Sequence, residues 1–350
     1  MAGQMNLAGA WERVSAKRGM PGVDGVSVSR FAQASKALLR GLEGRLAREV
    51  YHPDPLRVAE VMKKNGGVRL LLVPTVGDRI VQGAAGQWLA ARWNPEFDDA
   101  SFAYRKGMGV HDALRALNAL RDRGMAWVLD ADIRSFFDSL DHDILLGKLG
   151  EWLGERSPLF VWLQRWIRSA VWDGLGVSVL SRGVPQGSPL SPILANFYLD
   201  GFDRRMRAAK VEFVRYADDF LVVARTPFEL REKRAVVEEA LRELKLELSL
   251  EKTRVTTFDD VFRFLGAEVR GDGVLLPFGK AKAKNKPVYV SPRMPGALLR
   301  AWHGGHLKSR PWVWEPHTRQ AGVGLEVVFE HPVLRGLAGS PALELLRRRP

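Results

Sequence analysis

Apolar residues recur at helical spacing through the early part of the chain, with Phe31, Leu38, Leu39, Leu42 and Leu46 on one stripe, so residues 7–50 are predicted to be largely helical. The period then shortens. Arg57-Val58-Ala59-Glu60-Val61 and Val68-Arg69-Leu70-Leu71-Leu72-Val73-Pro74 read as strands flanking Lys63-Lys64-Asn65-Gly66-Gly67, whose Asn-Gly step predicts a hairpin. Helical spacing returns over 78–92 and 110–121, followed by a strand at 127–129. The band Phe160, Trp162, Leu163, Trp166, Ile167 and Val171 is read as core packing rather than a binding stripe. A helix is predicted over 191–207, strands over 211–214 and 220–223, an amphipathic helix over 227–245, and strands over 252–258 and 262–269. The mixture predicts an α+β protein with no internal repeat.

Near Gly279 the composition changes: Lys280, Lys282, Lys284 and Lys286 alternate with small residues, and Pro287 follows. A boundary is placed there, dividing the chain into 1–126, 127–278 and 279–350. The last segment holds Trp302, Trp312, Trp314 and many Arg residues. That mixture suits base stacking and phosphate tracking, and equally a small packed helical cap.

A chain of 350 residues can bury a substantial core, and its formal charge of +13 favours polyanionic partners through counterion release. A basic surface of solvated Arg gives the same number. No apolar run approaches a membrane span, and Met1-Ala2-Gly3-Gln4-Met5 lacks the basic start and apolar core of a secretory signal, so a cytoplasmic protein without membrane contact is expected. Cysteine is absent, which excludes disulfides, thiolate zinc sites and a cysteine nucleophile.

The chemistry concentrates at Tyr216-Ala217-Asp218-Asp219, between two apolar strands, with Asp130-Ala131-Asp132-Ile133 upstream. Adjacent acids repel, and a third carboxylate beside them is unfavourable unless a divalent cation neutralises the group. Hard oxygen donors select Mg²⁺, and paired metals suit phosphoryl transfer. An isolated Asp pair is also a common turn. The pair here follows Asp132-Ile133-Arg134-Ser135-Phe136-Phe137-Asp138 and Gly183-Val184-Pro185-Gln186-Gly187-Ser188-Pro189-Leu190-Ser191-Pro192, in that order.

This ordered series resembles the successive motifs of reverse transcriptases, specifically the bacterial lineage that includes group II intron-encoded enzymes. The likeness begins at Gly22-Val23-Asp24-Gly25-Val26, passes through Pro74-Thr75-Val76-Gly77-Asp78-Arg79 and Phe102-Ala103-Tyr104-Arg105-Lys106-Gly107, and ends near Phe264-Leu265-Gly266. It implies right-hand polymerase fingers (within 1–126) and a palm (127–278) whose antiparallel sheet packs on helices, plus a short basic thumb-like or accessory segment (279–350). The implied activity is RNA-directed DNA polymerisation, extending a 3′-hydroxyl with dNTPs on an RNA template from a DNA or RNA primer. Untemplated or protein-primed DNA synthesis, and a non-catalytic RNA-binding subunit, are the rival readings.

By the same resemblance Asp132, Asp218 and Asp219 hold two Mg²⁺ ions, or Mn²⁺ in their place, with the Ile133 carbonyl as a further donor. Asp138 and Asp141 fall off the ligand position and read as structural or capping residues. Phe137 matches the aromatic under the incoming sugar that excludes a 2′-hydroxyl; its competing reading, with Phe136, is strand core. Lys63 and Arg69 match the cations that hold the triphosphate, with Lys64 interchangeable, and Gln186 and Gly187 match the loop that meets nucleotide and template. Lys252 matches the lysine held to protonate pyrophosphate, against the reading of a solvated surface lysine. Arg79 and Arg105 lie in segments expected to touch template backbone or nucleotide. With only residues 279–350 beyond the palm, a stand-alone enzyme of CRISPR adaptation, antiviral defence or a retroelement is expected, with CRISPR adaptation proteins or a cognate non-coding RNA as partners.

Overall fold

The computed structural model describes residues 2–62, 68–271, 273–275, 287–290 and 310–312. Lys63 and Lys64 lie outside the described residues, as do the Gly279 boundary, Trp302 and Trp314. The helices are α1 (Leu7–Lys17), α2 (Val28–Gln33), α3 (Ser35–Ala47), α4 (Val76–Trp93), α5 (Val110–Asp122), α6 (Phe136–Ser139), α7 (His142–Leu153), α8 (Pro158–Ile167), α9 (Ser191–Ala208) and α10 (Pro227–Glu243). The strands are β1 (Leu56–Met62), β2 (Val68–Val73), β3 (Trp127–Asp132), β4 (Ala170–Trp172), β5 (Val177–Leu180), β6 (Glu212–Tyr216), β7 (Asp219–Ala224), β8 (Arg254–Thr257), β9 (Phe262–Phe264), β10 (Ala267–Arg270), β11 (Gly273–Leu275), β12 (Pro287–Val290) and β13 (Arg310–Trp312). They divide into two compact units. One holds the described residues of Met1–Ala85, Lys148–Pro189 and Asn285–Pro350, the other those of Gly86–Gly147 and Leu190–Lys284.

In the second unit the sheet order is β6-β7-β3-β8, antiparallel throughout, which puts β3 inside the sheet. One face packs on α9 and α10, with the Phe202 ring 6.1 Å from Phe213 and 5.3 Å from Phe220. The other face is covered by Ala113, Leu114 and Leu117 of α5 and by Phe258, Phe262 and Phe264, over Val128, Val214, Leu221 and Val223. Two expectations change here. Residues 262–269 form not one strand but a hairpin, β9 against β10, because Leu265 (φ 53°) and Gly266 (φ 79°) adopt the left-handed pair that a two-residue turn needs. Phe136 and Phe137 lie on the short helix α6, since Ser135 turns left-handed (φ 45°) and ends the strand before them.

In the first unit the predicted hairpin forms, with Met62 opposite Val68, and β1 continues into a mixed sheet with β12, β4, β5 and β13. Leu56, Val58, Leu72, Val171 and Leu180 form its core. α8 starts on a Ser157 cap, whose hydroxyl accepts the Phe160 N–H at 3.2 Å, and buries Phe160, Trp162, Leu163, Trp166 and Ile167 as core, matching the reading of that apolar band. The helical region 7–50 is interrupted between α1 and α2, where Gly22 packs so closely that a Cβ would lie 2.6 Å from the Thr75 Cα. Among the described residues no helix is long and apolar enough to cross a membrane.

A buried polar knot ties the first unit together. The Tyr51 hydroxyl donates to Asp78 Oδ1 at 2.6 Å and accepts from Trp166 Nε1 at 3.3 Å. Thr75 Oγ1 (2.8 Å) and the Asp54 N–H (3.0 Å) both donate to Asp78 Oδ2. Burial, helped by the nearby Asp54 carboxylate, pushes Asp78 up to about 7 despite these donors. Tyr51→Phe removes a donor and an acceptor from buried partners, so chemical denaturation should show a loss of about 1–3 kcal/mol; an unchanged midpoint would mean the knot is not holding the unit.

Candidate active site

On β3 successive side chains alternate between faces, so Asp130 and Asp132 share the face of Val128. The register with β7 sets Val128 opposite Val223, Asp130 opposite Leu221 and Asp132 opposite Asp219. Along one strand pair the surface therefore passes from apolar to mixed to wholly acidic. Two cations stand on the β8 side: Arg254 Nε lies 3.0 Å from Asp130 Oδ2, and Lys252 Nζ lies 2.9 Å from each Asp132 carboxylate oxygen.

Only Ala217 and Asp218 connect β6 to β7, and Ala217 is left-handed (φ 62°), a conformation that L side chains adopt at some cost. The Ile133 N–H donates to the Asp218 carbonyl at 3.3 Å, which sets the main chain of the third acid against the end of β3. Ile133 itself is buried and bridges to Leu248.

Crowding leaves its mark on acidity. Burial first, and then the charges of Asp130, Asp132 and Asp218, push Asp219 up to about 7, with Lys252 opposing. Asp130 is also raised, chiefly by burial, against the pull of Arg254. The donor set fits a hard divalent cation by its chemistry, oxygen donors whose mutual repulsion is only partly relieved. The side chains are not yet gathered around one point: among the described residues no three His, Cys, Asp or Glu converge as a ready metal site. Lys252 stands on both oxygens of Asp132, so a metal at that carboxylate requires the ammonium to move aside.

Phe137 is half-buried with its ring 5.4 Å from Phe136, which alone of the two is fully in the core. Asp141 caps α7, accepting the Asp143 and Ile144 N–H groups at 3.0 Å each and pairing with Lys245 at 2.7 Å. Arg105 is buried, donating to the carbonyls of Asp98 (2.6 Å), Ser101 (2.7 Å) and Asn94 (2.8 Å). In the first unit Arg79 donates to the Met20 carbonyl at 2.7 Å. Each guanidinium holds main-chain oxygens, a loop-stapling role that stands beside the nucleic-acid contacts expected of these two arginines. Arg69 is exposed on β2. The Gln186 carbonyl accepts the Leu72 N–H at 3.0 Å, and a Cβ on Gly187 (φ 133°) would lie 2.8 Å from the Leu72 carbonyl oxygen. That glycine is required by packing against β2, a closer constraint than the approach of a ligand.

A family model described as "Reverse transcriptase (RNA-dependent DNA polymerase)" matches residues 61–269. The chain belongs to the reverse transcriptase family. It is 30% identical to Protein YkfC of Escherichia coli K12 over 289 residues, 70% of this chain and 74% of that protein. It is 25% identical to the group II intron-encoded protein LtrA of Lactococcus lactis over 333 residues, 75% of this chain and 53% of LtrA. The chain thus spans about three quarters of the one relative and half of the other. A telomerase from Candida albicans shares the fold, with a TM-score of 0.52 at 16% identity over 64% of this chain and 46% of that one.

Within this reverse transcriptase fold, two residues that motif matching left without a role stand by the acids. Asp130 was visible as the acid two positions before Asp132, on the same face. Tyr104 is half-exposed and left-handed (φ 61°), and desolvation together with the charge of Asp218 pushes its phenol up. No spacing rule points to it; only its place beside Arg105 in the Phe102-to-Gly107 motif does.

The raised pKa of Asp219 gives a pH dependence of defined sign. Between its ordinary value near 3.8 and about 7 the folded protein holds a proton that the unfolded chain releases, so this contribution favours folding at low pH and is lost as pH rises through 7. Thermal unfolding of metal-free Asp219→Asn should therefore decline less between pH 5 and pH 8 than that of the parent chain. Parallel melting curves for the two proteins across that range would contradict the crowding.

Proposed function

We propose that this chain is an RNA-directed DNA polymerase that extends a primer 3′-hydroxyl with dNTPs. The observation that supports this most is the facing pair Asp132 and Asp219, with Asp218 in the adjoining turn, at the acidic end of a sheet face. Asp132, Asp218 and Asp219, with the Ile133 carbonyl, would hold Mg²⁺, which when bound supplies Lewis acidity toward the attacking hydroxyl and the phosphate oxygens. Mn²⁺ shares the donor preference. The remaining work falls to the protein. Lys252, 2.9 Å from Asp132, would give a proton to departing pyrophosphate once it swings off that carboxylate. Phe137 lies five positions after Asp132, where an aromatic edge excludes a ribose 2′-hydroxyl.

In this reading 1–126 supplies fingers, 127–278 the palm, and 279–350 a basic thumb-like segment. Lys63, Lys64, Arg69, Gln186 and Gly187 keep their expected nucleotide or template roles on the strength of their motifs. The lineage is that of group II intron-encoded proteins, and a retroelement, CRISPR-adaptation or defence setting is the context proposed for it. A cognate RNA or adaptation nucleases encoded beside the reading frame would tell these apart.

Extension of a primed RNA template by the full chain with dNTPs and Mg²⁺ tests the reading. Asp218→Ala should lower the rate by about a thousandfold or more, as loss of an electrostatic anchor of the reaction does. Product without a primer would replace templated copying with untemplated or protein-primed synthesis. RNA binding that survives Asp132→Ala, with no incorporation by the parent chain under any metal, would make this a non-catalytic subunit.

Phe137→Ala gives a second measure. Incorporation of ribonucleotides relative to deoxynucleotides should rise about tenfold or more, the scale of a lost steric contact in a pocket. Unaltered selectivity would place the sugar filter elsewhere.

A further inference from the structure

Behind the acidic hairpin lies a charged group that the chemistry described so far does not use. Arg215, on β6 immediately before Tyr216, is wholly buried, and so is Asp203 on α9. Its Nε donates to Asp203 Oδ1 at 2.7 Å, and Nη2 donates to the other oxygen of the same carboxylate. Nη1 donates to Asn196 Oδ1 at 3.2 Å and to the Ala217 carbonyl at 3.1 Å. Asn196 lies seven residues before Asp203, about two helical turns, so both project from one side of α9.

The same residues also reach the loop that carries Tyr104. Asn196 Nδ2 donates to the Ala103 carbonyl at 2.7 Å. The Arg215 N–H donates to the Ala100 carbonyl at 2.7 Å, and the Phe102 N–H donates to the Arg215 carbonyl at 3.0 Å. One guanidinium thus holds the left-handed residue of the acidic turn and, through Asn196 and its own main chain, the segment 100–103.

We propose that Arg215, locked by Asp203 and Asn196, is a positioning residue that fixes Ala217 and thereby sets Asp218 and Asp219 for a divalent cation. A buried ion pair is a poor source of stability compared with apolar packing of the same volume, so its use here is geometric. A planar fork is needed: Lys, with a single ammonium, cannot grip Asp203 with two parallel bonds while also reaching Asn196 and the Ala217 carbonyl. Arg215 is wholly buried, and its effect runs through its bond to the turn.

The activity part of this inference rests on the polymerase reading, so the deciding measurement is made without turnover. Mn²⁺ binding to the full chain, followed by the loss of the free-ion electron paramagnetic resonance signal, is compared for the parent protein, Asn196→Ala, Arg215→Lys, Asp218→Asn and the first-unit variant Tyr51→Phe. Asn196→Ala and Arg215→Lys should each weaken Mn²⁺ binding by about tenfold, the scale on which partners that orient metal ligands act. In primer extension they should lower kcat with the KM for dNTP within about twofold, as a loss confined to the reacting geometry does. Tyr51→Phe, which loosens the fold elsewhere, should leave Mn²⁺ affinity unchanged. If Asn196→Ala and Arg215→Lys fold and bind Mn²⁺ as the parent does, the proposal fails. Should Arg215→Lys not fold, Asn196→Ala alone decides. A parent chain that binds Mn²⁺ but extends no primer overturns the polymerase reading, and the Mn²⁺ comparison still judges Arg215.

Discussion

Everything at the acidic end of the second unit follows from like charges held at the edge of a packed core. Strand pairing fixes Asp132 opposite Asp219 whether or not their charges favour it, because the pairs behind them, Val128 with Val223 and Leu129 with Val222, are committed to opposite faces. A slip of β3 by one residue would turn Asp130 and Asp132 onto the α9 side and carry Val128 out of its core. The hydrophobic register is thus what compels the carboxylates together. Lys252 and Arg254 relieve only part of the strain, leaving Asp219 short of full ionisation at neutral pH.

The arginines give the charge balance a different meaning from the one composition suggests. A formal +13 points to a polyanion-binding surface, yet Arg79, Arg105 and Arg215 are buried and hold main-chain carbonyls or a buried carboxylate. Guanidinium suits this work because it stays charged under desolvation and offers several donors in a plane. An Arg in a polymerase motif can therefore serve the loop that bears it as well as any ligand.

Much of this was legible in the chain itself. The strand-turn-strand around Ala217 and Asp218, the helices α4, α5, α9 and α10, and the first hairpin follow from periodicity and from turn chemistry. So did the role of Asp141 as a helix cap. Other features depend on contacts between distant residues and leave no local trace. Nothing near Arg215 announces Asp203 or Asn196, and nothing near Gly187 announces Leu72. The split of 262–269 into β9 and β10 was hidden because Leu265 carries no turn signal of its own, and Gly266 supplies only half of one. Lys252 lay between two readings, and its bond to Asp132 comes from a residue 120 positions away in sequence.

That separation bears on how the protein comes into being. β3 lies between β7 and β8, and the Asp130 to Arg254 contact spans 124 residues, so the strand that bears the first two acids has no neighbour in its sheet until most of the chain has been synthesised. A ribosome-bound fragment ending before Lys252 would own the acids but lack both of their cationic neighbours. The charged centre is in this sense a late acquisition of the second unit, and a nascent chain carries it only in pieces.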